Sequence, residues 1–290
     1  MELYIASKPL QINVASIIAD TRMNESCLII IDMFHDAENV FNKIKSKGCW
    51  GKVLFVKNRF MSFYKGAQLQ PSKTYIDGDI GTRLAIYLTY FKLFSRTRKL
   101  YVYEEGIGTY RNDIYKPSIK TKLFDILGIS TVFGGSWFCD GVYVFEPLVY
   151  EKNIKIKKEN FKILKLEKSI KSYCQDNIFY LNDVYGFNPD ALGSGNSSFV
   201  YISDWHFDSC FLKSAGEKKF DKKIIKLHPN IKEGIKLDLE GFDILDNKVP
   251  AEILIHSLSE NYKTVTVLHH GSSVEHYMKY DNVNYVKVSK

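Results

Sequence analysis

Two adjacent carboxylates, Glu104 and Glu105, follow a strand-like stretch in the first half of the chain, and Gly106 comes next. Successive residues of a strand point to opposite faces, so the pattern predicts that only one carboxylate faces a cleft. A carboxylate partly removed from water has a raised pKa and can act as a general base. Gly106 allows the backbone to turn because it has no Cβ. The stretch is therefore a candidate catalytic motif, with a solvated turn as its alternative.

A second candidate lies at the end of the apolar stretch 222–228, where one residue separates Lys226 from His228 and Pro229 follows. Strand alternation puts the cation and the imidazole on one face, so both can address one ligand. Pro229 ends the strand and keeps the backbone of His228 extended. An imidazole at this point can donate a proton or a hydrogen bond to a phosphate. A structural histidine is the alternative.

Ser272 and Ser273 follow a third strand-like stretch and precede a predicted helix. Hydroxyls and free backbone N–H groups at a helix start are typical of a phosphate site, although serine is also a common helix cap. His269 and His270 are adjacent and therefore point apart, which argues against a shared metal ion. Upstream, Glu252 lies in the first turn of another predicted helix, where it either caps the helix or holds the ribose hydroxyls of a ligand.

These motifs need elements that bring strand ends together, and the chain has a suitable pattern. In both halves, strand-like stretches alternate with helical patterns. The strands are predicted at 3–7, 27–32, 52–57, 99–103, 197–203, 222–228, 242–245 and 264–270, and the helices at 8–20, 36–46, 81–95 and 250–258. Such alternation is typical of βαβ units and parallel sheets, whose ligands collect at the carboxyl ends of the strands.

The composition changes near residue 150, where the lysine-rich stretch 151–171 begins. We therefore predict an α/β protein with two Rossmann-like domains facing a cleft, 1–150 and 151–290. With 290 residues and 45% hydrophobic residues, the chain can bury two cores. It has no apolar run long enough to span a membrane and no signal-like start, which predicts a cytoplasmic protein.

Five cysteines form an odd set without close pairs, which argues against a disulfide framework and a zinc site. We expect them to be reduced core residues: Cys27, Cys49, Cys139, Cys174 and Cys210. The formal net charge of +7 is concentrated in 151–171 and 213–223. Either these lysines are ordinary solvated surface, or they contact an anionic membrane face or an acidic glycan. Nucleic acid is not expected as a partner, since no recognition motif accompanies the charge.

The order of the motifs is more informative than any one of them. An acidic pair with glycine, then Lys-x-His-Pro, then Pro-x-Glu at a helix start, then Ser-Ser after the next strand, resembles bacterial sialyltransferases of the GT-B type. The resemblance is greatest to the lipooligosaccharide and capsule enzymes, including the polysialyltransferase group. The opening "YIASKPLQINVA" (4–15) is similar to their N-terminal strand and helix start.

This resemblance implies a role for each motif. The N-terminal domain would bind the acceptor, with Glu104 as the base that deprotonates its hydroxyl, and Glu105 and Gly106 would support the loop or the acceptor site. The C-terminal domain would bind the CMP-sugar, and His228 would contact and protonate the leaving phosphate of CMP. The other donor contacts implied are Lys226 and Pro229 beside the cytosine or ribose, Glu252 on the ribose hydroxyls, and Ser272 with Ser273 on the phosphate. No cofactor or metal is implied.

The chain is shorter than typical polysialyltransferases, so we expect transfer of one residue to a terminal galactose or sialic acid of a lipooligosaccharide or surface polysaccharide. One alternative is a transferase of Kdo or another nonulosonic acid that uses a CMP-sugar. Another is a non-catalytic module that binds a glycan or nucleotide. A nucleotide-sugar epimerase is disfavoured, because the first turn, "IASKPLQ", lacks the glycine-rich phosphate fingerprint.

Overall fold

The computed structural model describes residues 1–156, 158–204, 212, 219–229, 231 and 241–288. The chain divides into two compact units. Unit 1 comprises Met1–Met33 and Ala37–Lys168, and unit 2 comprises Phe34–Asp36 and Ser169–Lys290. Each unit is built around one parallel sheet.

In its described residues, unit 1 contains seven strands and six α-helices. The strands are β1 (Glu2–Ala6), β2 (Ser26–Ile31), β3 (Lys52–Val56), β4 (Lys73–Ile76), β5 (Lys99–Tyr103), β6 (Gly141–Val144) and β7 (Lys162–Lys165). The helices are α1 (Pro9–Ala19), α2 (Ala37–Lys47), α3 (Arg59–Gln68), α4 (Thr82–Phe94), α5 (Ile119–Ile126) and α6 (Pro147–Asn153).

The strands of unit 1 lie in the order β3-β2-β1-β4-β5-β6-β7, and every neighbouring pair is parallel. The sequence explains the centre of this sheet. All six residues of β2 are buried, as are four of the five in β1, because helices cover both faces of such a sheet. Pro9 opens α1 at its first turn, where its fixed φ suits a helix and its missing N–H costs nothing.

Unit 2 contains five strands and three helices in the described residues. The strands are β8 (Gly195–Ile202), β9 (Lys222–Lys226), β10 (Asp243–Leu245), β11 (Tyr262–His269) and β12 (Val283–Lys287). The helices are α7 (Ile170–Tyr185), α8 (Ala251–Asn261) and α9 (Val274–Tyr277). The strand order is β10-β9-β8-β11-β12, again with parallel pairs throughout.

Both sheets therefore have the same winding. In each unit the first strand is central, the next two strands lie on one side of it, and the fourth and fifth lie on the other. The direction of winding reverses between β1 and β4 in unit 1, and between β8 and β11 in unit 2. Such switch points are where ligands bind in open α/β sheets. The prediction of two Rossmann-like α/β domains is confirmed.

The division between the units falls after Lys168, later than the boundary expected near 150. The reason is β7, which pairs with β6 and so adds a seventh strand to the first sheet. The composition change at 150 marks the surface of α6 and the lysine-rich edge strand that follows it. Sequence patterns also missed the strands β4, β6, β7 and β12 and the helices α3, α5, α6 and α7.

Cys27, Cys139 and Cys174 are buried as expected, but Cys49 is exposed, and Cys210 lies outside the described residues. Of the two lysine-rich stretches, 151–171 is described except for residue 157, whereas most of 213–223 is outside the described part. None of the helices that the structure describes is long and apolar enough to span a membrane.

Leu88 and Leu93 provide a matched test of how α4 packs, since their exposed fractions are 0% and 74%. We expect Leu88→Ala to lower the free energy of unfolding by about 2–5 kcal/mol, because it leaves a cavity in the core of unit 1. The same change at exposed Leu93 should alter it by less than about 0.5 kcal/mol. Urea unfolding followed by circular dichroism measures both, and equal losses would contradict this packing.

Candidate active site

A cluster of polar residues in unit 1 lies at the carboxyl ends of three neighbouring strands. Ser7 directly follows β1, Asp77 follows β4, and Glu104 and Glu105 follow β5. The register pairs Ile5 with Ile76 and Ile76 with Val102, so these ends lie at one level. The cluster includes the switch point between β1 and β4, where a parallel sheet offers a ligand site.

Ser7 and Asp77 are buried and tied together across the switch point. The Ser7 hydroxyl donates to Asp77 Oδ2 at 2.5 Å, and Gln11 Oε1 accepts the Ser7 backbone N–H at 2.7 Å. Arg59 forms a two-pronged ion pair with the Asp77 carboxylate, and its Nη2 also donates to Ser7 Oγ at 2.9 Å. This network places the Arg59 guanidinium and the Gln11 amide at the edge of the sheet. Both oxygens of Asp77 accept hydrogen bonds within it.

Glu104 is fully buried. Its backbone N–H donates to Tyr143 O at 2.9 Å, which continues the ladder between β5 and β6 and directs the side chain inward. There its carboxylate accepts the Tyr110 hydroxyl and the backbone N–H of Phe145, the latter at 2.8 Å. A buried carboxylate requires such partners, so Glu104 fastens the loop after β5 to the residues that follow β6.

Glu105 lies on the opposite side and is only half-buried. Lys8 Nζ pairs with Glu105 Oε2 at 3.1 Å, and Gln11 Nε2 approaches the same oxygen at 3.4 Å. Burial raises the pKa of Glu105, and the Lys8 ammonium only partly offsets this. Gly106 follows with φ +129°, a conformation open to glycine alone, and it begins the short turn in which Gly108 lies beside the Glu105 carboxylate.

The neighbouring glutamates therefore have different environments, as strand alternation predicts. Glu104, the expected base, has 0% exposure and its carboxylate is held by protein donors. Glu105, the expected support, is the accessible carboxylate with the raised pKa. Of the two, Glu105 is thus the carboxylate that solvent reaches, and the catalytic role of either glutamate stays a prediction.

In unit 2, three strand ends lie side by side. Ile202 is in register with Lys226 on one side and with His269 on the other, so β9, β8 and β11 end at one level. His228 follows two residues after β9, and its backbone N–H donates to Ser203 Oγ at 2.9 Å. Ser203 is nearly buried, which fixes the position of His228 beside the end of β8. Pro229 comes next, partly exposed like His228.

Lys226 has a different position from the one expected. Only 2% of it is exposed, and its ammonium donates to Leu227 O at 2.6 Å and to Asn247 O at 3.1 Å. Burial lowers the pKa of Lys226 to about 7, against the attraction of Glu252 and Asp246. The ammonium does not share a solvent-facing site with His228. It acts within the fold by joining β9 to the residues that follow β10.

Glu252 is also buried, at the second position of α8, with Pro250 as the residue before the helix. Burial raises the pKa of Glu252, and Lys226 lowers it in return. A negative side chain in this first turn interacts favourably with the helix dipole. In the structure Glu252 thus interacts electrostatically with the buried lysine, and because only 5% of Glu252 is exposed, its side chain is not presented to a ribose.

The loop that carries Ser272 and Ser273 is organised by His269. This histidine is fully buried, and its Nδ1 accepts the backbone N–H groups of Gly271 at 3.1 Å and Ser272 at 3.0 Å. The sequence predicts free backbone amides here for a phosphate, but these two amides are engaged by the imidazole. The Ser272 hydroxyl accepts the Val274 N–H at 3.3 Å, and Ser273 immediately precedes α9. What the loop presents is its two partly exposed serines.

His270 has different contacts from His269: its Nε2 lies 2.9 Å from the Tyr201 hydroxyl. The two rings point apart, as their adjacency on a strand predicts. In the described part of the chain, no three His, Cys, Asp or Glu side chains are grouped so that they could hold a metal ion. The expectation of a metal-independent reaction stays a prediction.

Sequence reasoning missed several residues of these two edges. Lys8, Arg59 and Asp77 in unit 1 and Ser203 in unit 2 carry the contacts described above, yet none was singled out as a site residue, although Lys8 lies in the opening stretch 4–15. Their common signal is position, since each comes within three residues after a strand of a parallel sheet. That signal was available at Ser203 but not at Asp77, because β4 has only four residues and was not predicted.

Comparisons with known proteins show a likeness in fold. No family model matches the chain, and neither does any curated protein sequence. UDP-N-acetylglucosamine 2-epimerase from Rickettsia bellii superposes with a TM-score of 0.53 at 12% identity, covering 100% of this chain and 78% of that one. UDP-GlcNAc 2-epimerase from Methanocaldococcus jannaschii, in complex with UDP-GlcNAc and UDP, gives 0.57 at 12% identity, covering 99% and 89%.

A third structure, the glycosyltransferase SnogD from Streptomyces nogalater, has a TM-score of 0.41 at 10% identity, covering 94% of this chain and 78% of that one. This score is too low to add to the fold assignment. The two epimerases support a GT-B-like pair of α/β domains, and at this identity they establish the fold alone.

The buried Lys226 gives unit 2 a distinct pH dependence. Its pKa is about 7 in the folded chain and about 10.4 when unfolded. Between these values the unfolded chain binds one more proton, so the free energy of unfolding rises with pH, by at most about 1.4 kcal/mol per unit. We expect Lys226→Met to flatten this rise between about pH 7 and pH 9. Urea unfolding across that range measures the free energy of unfolding at each pH. A variant with the wild-type slope would contradict the lowered pKa of the buried lysine.

Proposed function

We propose that this chain is an inverting glycosyltransferase that moves sialic acid from CMP-sialic acid to a hydroxyl of a glycan. The acceptor would be a terminal galactose or sialic acid of a lipooligosaccharide or surface polysaccharide. The ordered motifs support the donor assignment through their resemblance to bacterial sialyltransferases. The GT-B-like pair of domains is compatible with it. The observation that carries the proposal is the accessible carboxylate of Glu105 at the edge of the first sheet.

Glu105 has the properties of a general base for an acceptor hydroxyl. It is partly removed from water, which raises its pKa, while the Lys8 ammonium favours its charged form. A general base is most effective when its pKa approaches the working pH. Glu104 would position it, because the buried carboxylate fixes the loop that Glu105 occupies. We therefore assign the base to Glu105.

The donor is assigned to the carboxyl edge of unit 2. His228, Ser272 and Ser273 are donors that suit a phosphate, and their strands lie on either side of β8. Lys226 and Glu252 would act indirectly, because both are buried: they would stabilise the conformation of the loops that contact the donor. Pro229 would restrict the backbone of His228 to extended conformations beside the nucleotide. The proposal includes no metal ion.

The reaction balances as a single displacement. The acceptor oxygen forms a bond to the anomeric carbon of sialic acid, and the bond from that carbon to the phosphate oxygen breaks. The hydroxyl proton passes to Glu105, and CMP leaves with the electron pair while His228 donates a hydrogen bond or proton to its phosphate. A single displacement inverts the anomeric carbon. Positive charge on the sugar in the transition state would be matched by the leaving phosphate.

Three other functions are alternatives. A Kdo transferase would keep the same CMP site and the same base, since Kdo is a related acidic sugar. A UDP-GlcNAc 2-epimerase is favoured by the fold likeness to two such enzymes. For an epimerase, the same half-buried carboxylate would remove a proton from carbon, which is a different use of one site. A non-catalytic binding module would need no carboxylate of raised pKa.

An assay of donors separates these candidates. With CMP-sialic acid and a galactose-terminated glycan, we expect release of CMP together with a sialylated product, and calorimetry should show that CMP binds. Parallel reactions with CMP-Kdo and UDP-GlcNAc should give no product. Conversion of UDP-GlcNAc to its C2 epimer, without turnover of CMP-sialic acid, would refute the proposal.

The adjacent glutamates offer a matched pair of substitutions. Glu105→Gln should lower kcat/KM for transfer by at least about 100-fold, because it removes the base, and should leave CMP affinity unchanged. Glu104→Gln should chiefly destabilise unit 1, by about 1–3 kcal/mol, because a buried partner of Tyr110 and Phe145 is weakened. Steady-state kinetics and urea unfolding of both variants measure this.

Lys8 supplies the control for the assignment of the base. Its ammonium lowers the pKa of Glu105, so Lys8→Met should raise that pKa. The acid limb of the kcat/KM profile should then move to higher pH, because a larger fraction of the base is protonated at each pH. Full activity in Glu105→Gln, or an acid limb that stays in place in Lys8→Met, would exclude Glu105 as the base.

A further inference from the structure

Unit 1 contains a cavity away from the strand-end cluster of Ser7, Asp77 and Glu105. Its volume is about 900 Å³, and its walls come from the end of α5 and the loop that follows it, from the end of α6 and the residues after it, and from Asn112. Small-molecule sites usually occupy about 300–1,000 Å³. The cavity is therefore large enough for a ligand of one or two rings. Five of its lining residues belong to the lysine-rich stretch 151–171, and none belongs to the proposed base or donor motifs.

Trp137 forms one wall, and 68% of it is exposed. Gly128 lies against the indole: ring atoms of Trp137 come within 2.5 Å of the position that a Cβ on Gly128 would occupy. Gly128 also has φ +65°, which any other residue would adopt with strain. One side of the indole thus rests on bare backbone. Lys158 Nζ donates to Trp137 O at 2.7 Å and restrains the loop.

Polar groups surround this aromatic platform. The Asn112 side-chain amide donates to Asn153 O at 3.1 Å, which orients its carbonyl oxygen as an acceptor. Asp125, Lys155 and Lys158 also line the cavity. Amide, carboxylate and ammonium groups can satisfy the ring hydroxyls of a sugar, while an indole face packs against its C–H groups. Two cations against one anion favour a ligand that carries a negative charge.

We propose that this cavity is a second carbohydrate site that binds an acidic sugar, with one face of its ring on Trp137. A flat hydrophobic ligand would make no use of the charges of the two lysines and Asp125, and a phosphate alone would not use the indole. The site itself does not depend on the transfer reaction. Its identification as a subsite for a distal sugar of the glycan acceptor rests on the proposed function.

The test is direct binding of free glycans to the whole chain, without CMP-sialic acid. Saturation-transfer NMR and calorimetry should detect 3′-sialyllactose, with lactose binding more weakly. Trp137→Ala should weaken the binding of sialyllactose by about tenfold or more. Phe179→Ala is the matched control, because it also removes an exposed aromatic ring, 88% exposed, but from unit 2. This control should bind as the wild type does.

Two further variants guard against a loss of folding. Trp137→Phe keeps an aromatic face and should retain most of the binding. Lys155→Glu should weaken sialyllactose more than lactose, because it reverses one of the charges that favour an acidic sugar. Circular dichroism confirms that each variant is folded. Equal binding by wild type and Trp137→Ala, or no binding of either glycan at millimolar concentration, would overturn the proposal.

This experiment separates the second site from the proposed function. Glu105→Gln should lose transfer and keep glycan binding, because Glu105 does not line the cavity. If sialyllactose binds through Trp137 while CMP-sialic acid is never turned over, the carbohydrate site stands and the transferase assignment fails. If transfer occurs but Trp137→Ala has no effect on sialyllactose binding, the transferase assignment stands and the carbohydrate site at Trp137 fails.

Discussion

Parallel pairing is the constraint on which this molecule depends. Every neighbouring strand pair that the structure describes is parallel, and the central strands of each sheet end at one level. Parallel strands need crossover helices, which cover both faces and leave only the ends of the sheet open. Polar side chains that follow the strands are thereby collected at one edge in each unit. Residues distant in sequence, such as Ser7 and Asp77, meet for this reason alone.

At these edges the two units use the same device. A buried acceptor that follows or ends a strand binds N–H or O–H groups of the neighbouring loops. In unit 1 it is Glu104, which accepts from Tyr110 and Phe145. In unit 2 it is His269, whose Nδ1 accepts two backbone amides. Since burial makes an unsatisfied polar group costly, each acceptor fixes its loop.

This arrangement also separates residues that hold the loops in place from residues that reach solvent. Once Glu104 is directed inward, alternation leaves Glu105 outward, and it is this glutamate that has a raised pKa and an ammonium beside it. Lys226 is likewise engaged inside, whereas His228, two residues later, is partly exposed. A motif in sequence therefore contains both kinds of residue, and the side that each faces decides its chemistry.

The sequence by itself determined the α/β class, the parallel winding implied by alternating strands and helices, and the positions of the acidic pair, His228 and the two serines. These depend on local periodicity, which neighbouring residues set. Only the tertiary structure decided that the first sheet continues to β7, that Lys226 and Glu252 are interior, and that Glu105 is the accessible glutamate. Those outcomes depend on burial and on partners such as Lys8, Tyr110 and Asn247, which lie from 6 to 97 positions away in the chain. Sequence spacing carries no information about such distant partners, because the fold alone brings them together.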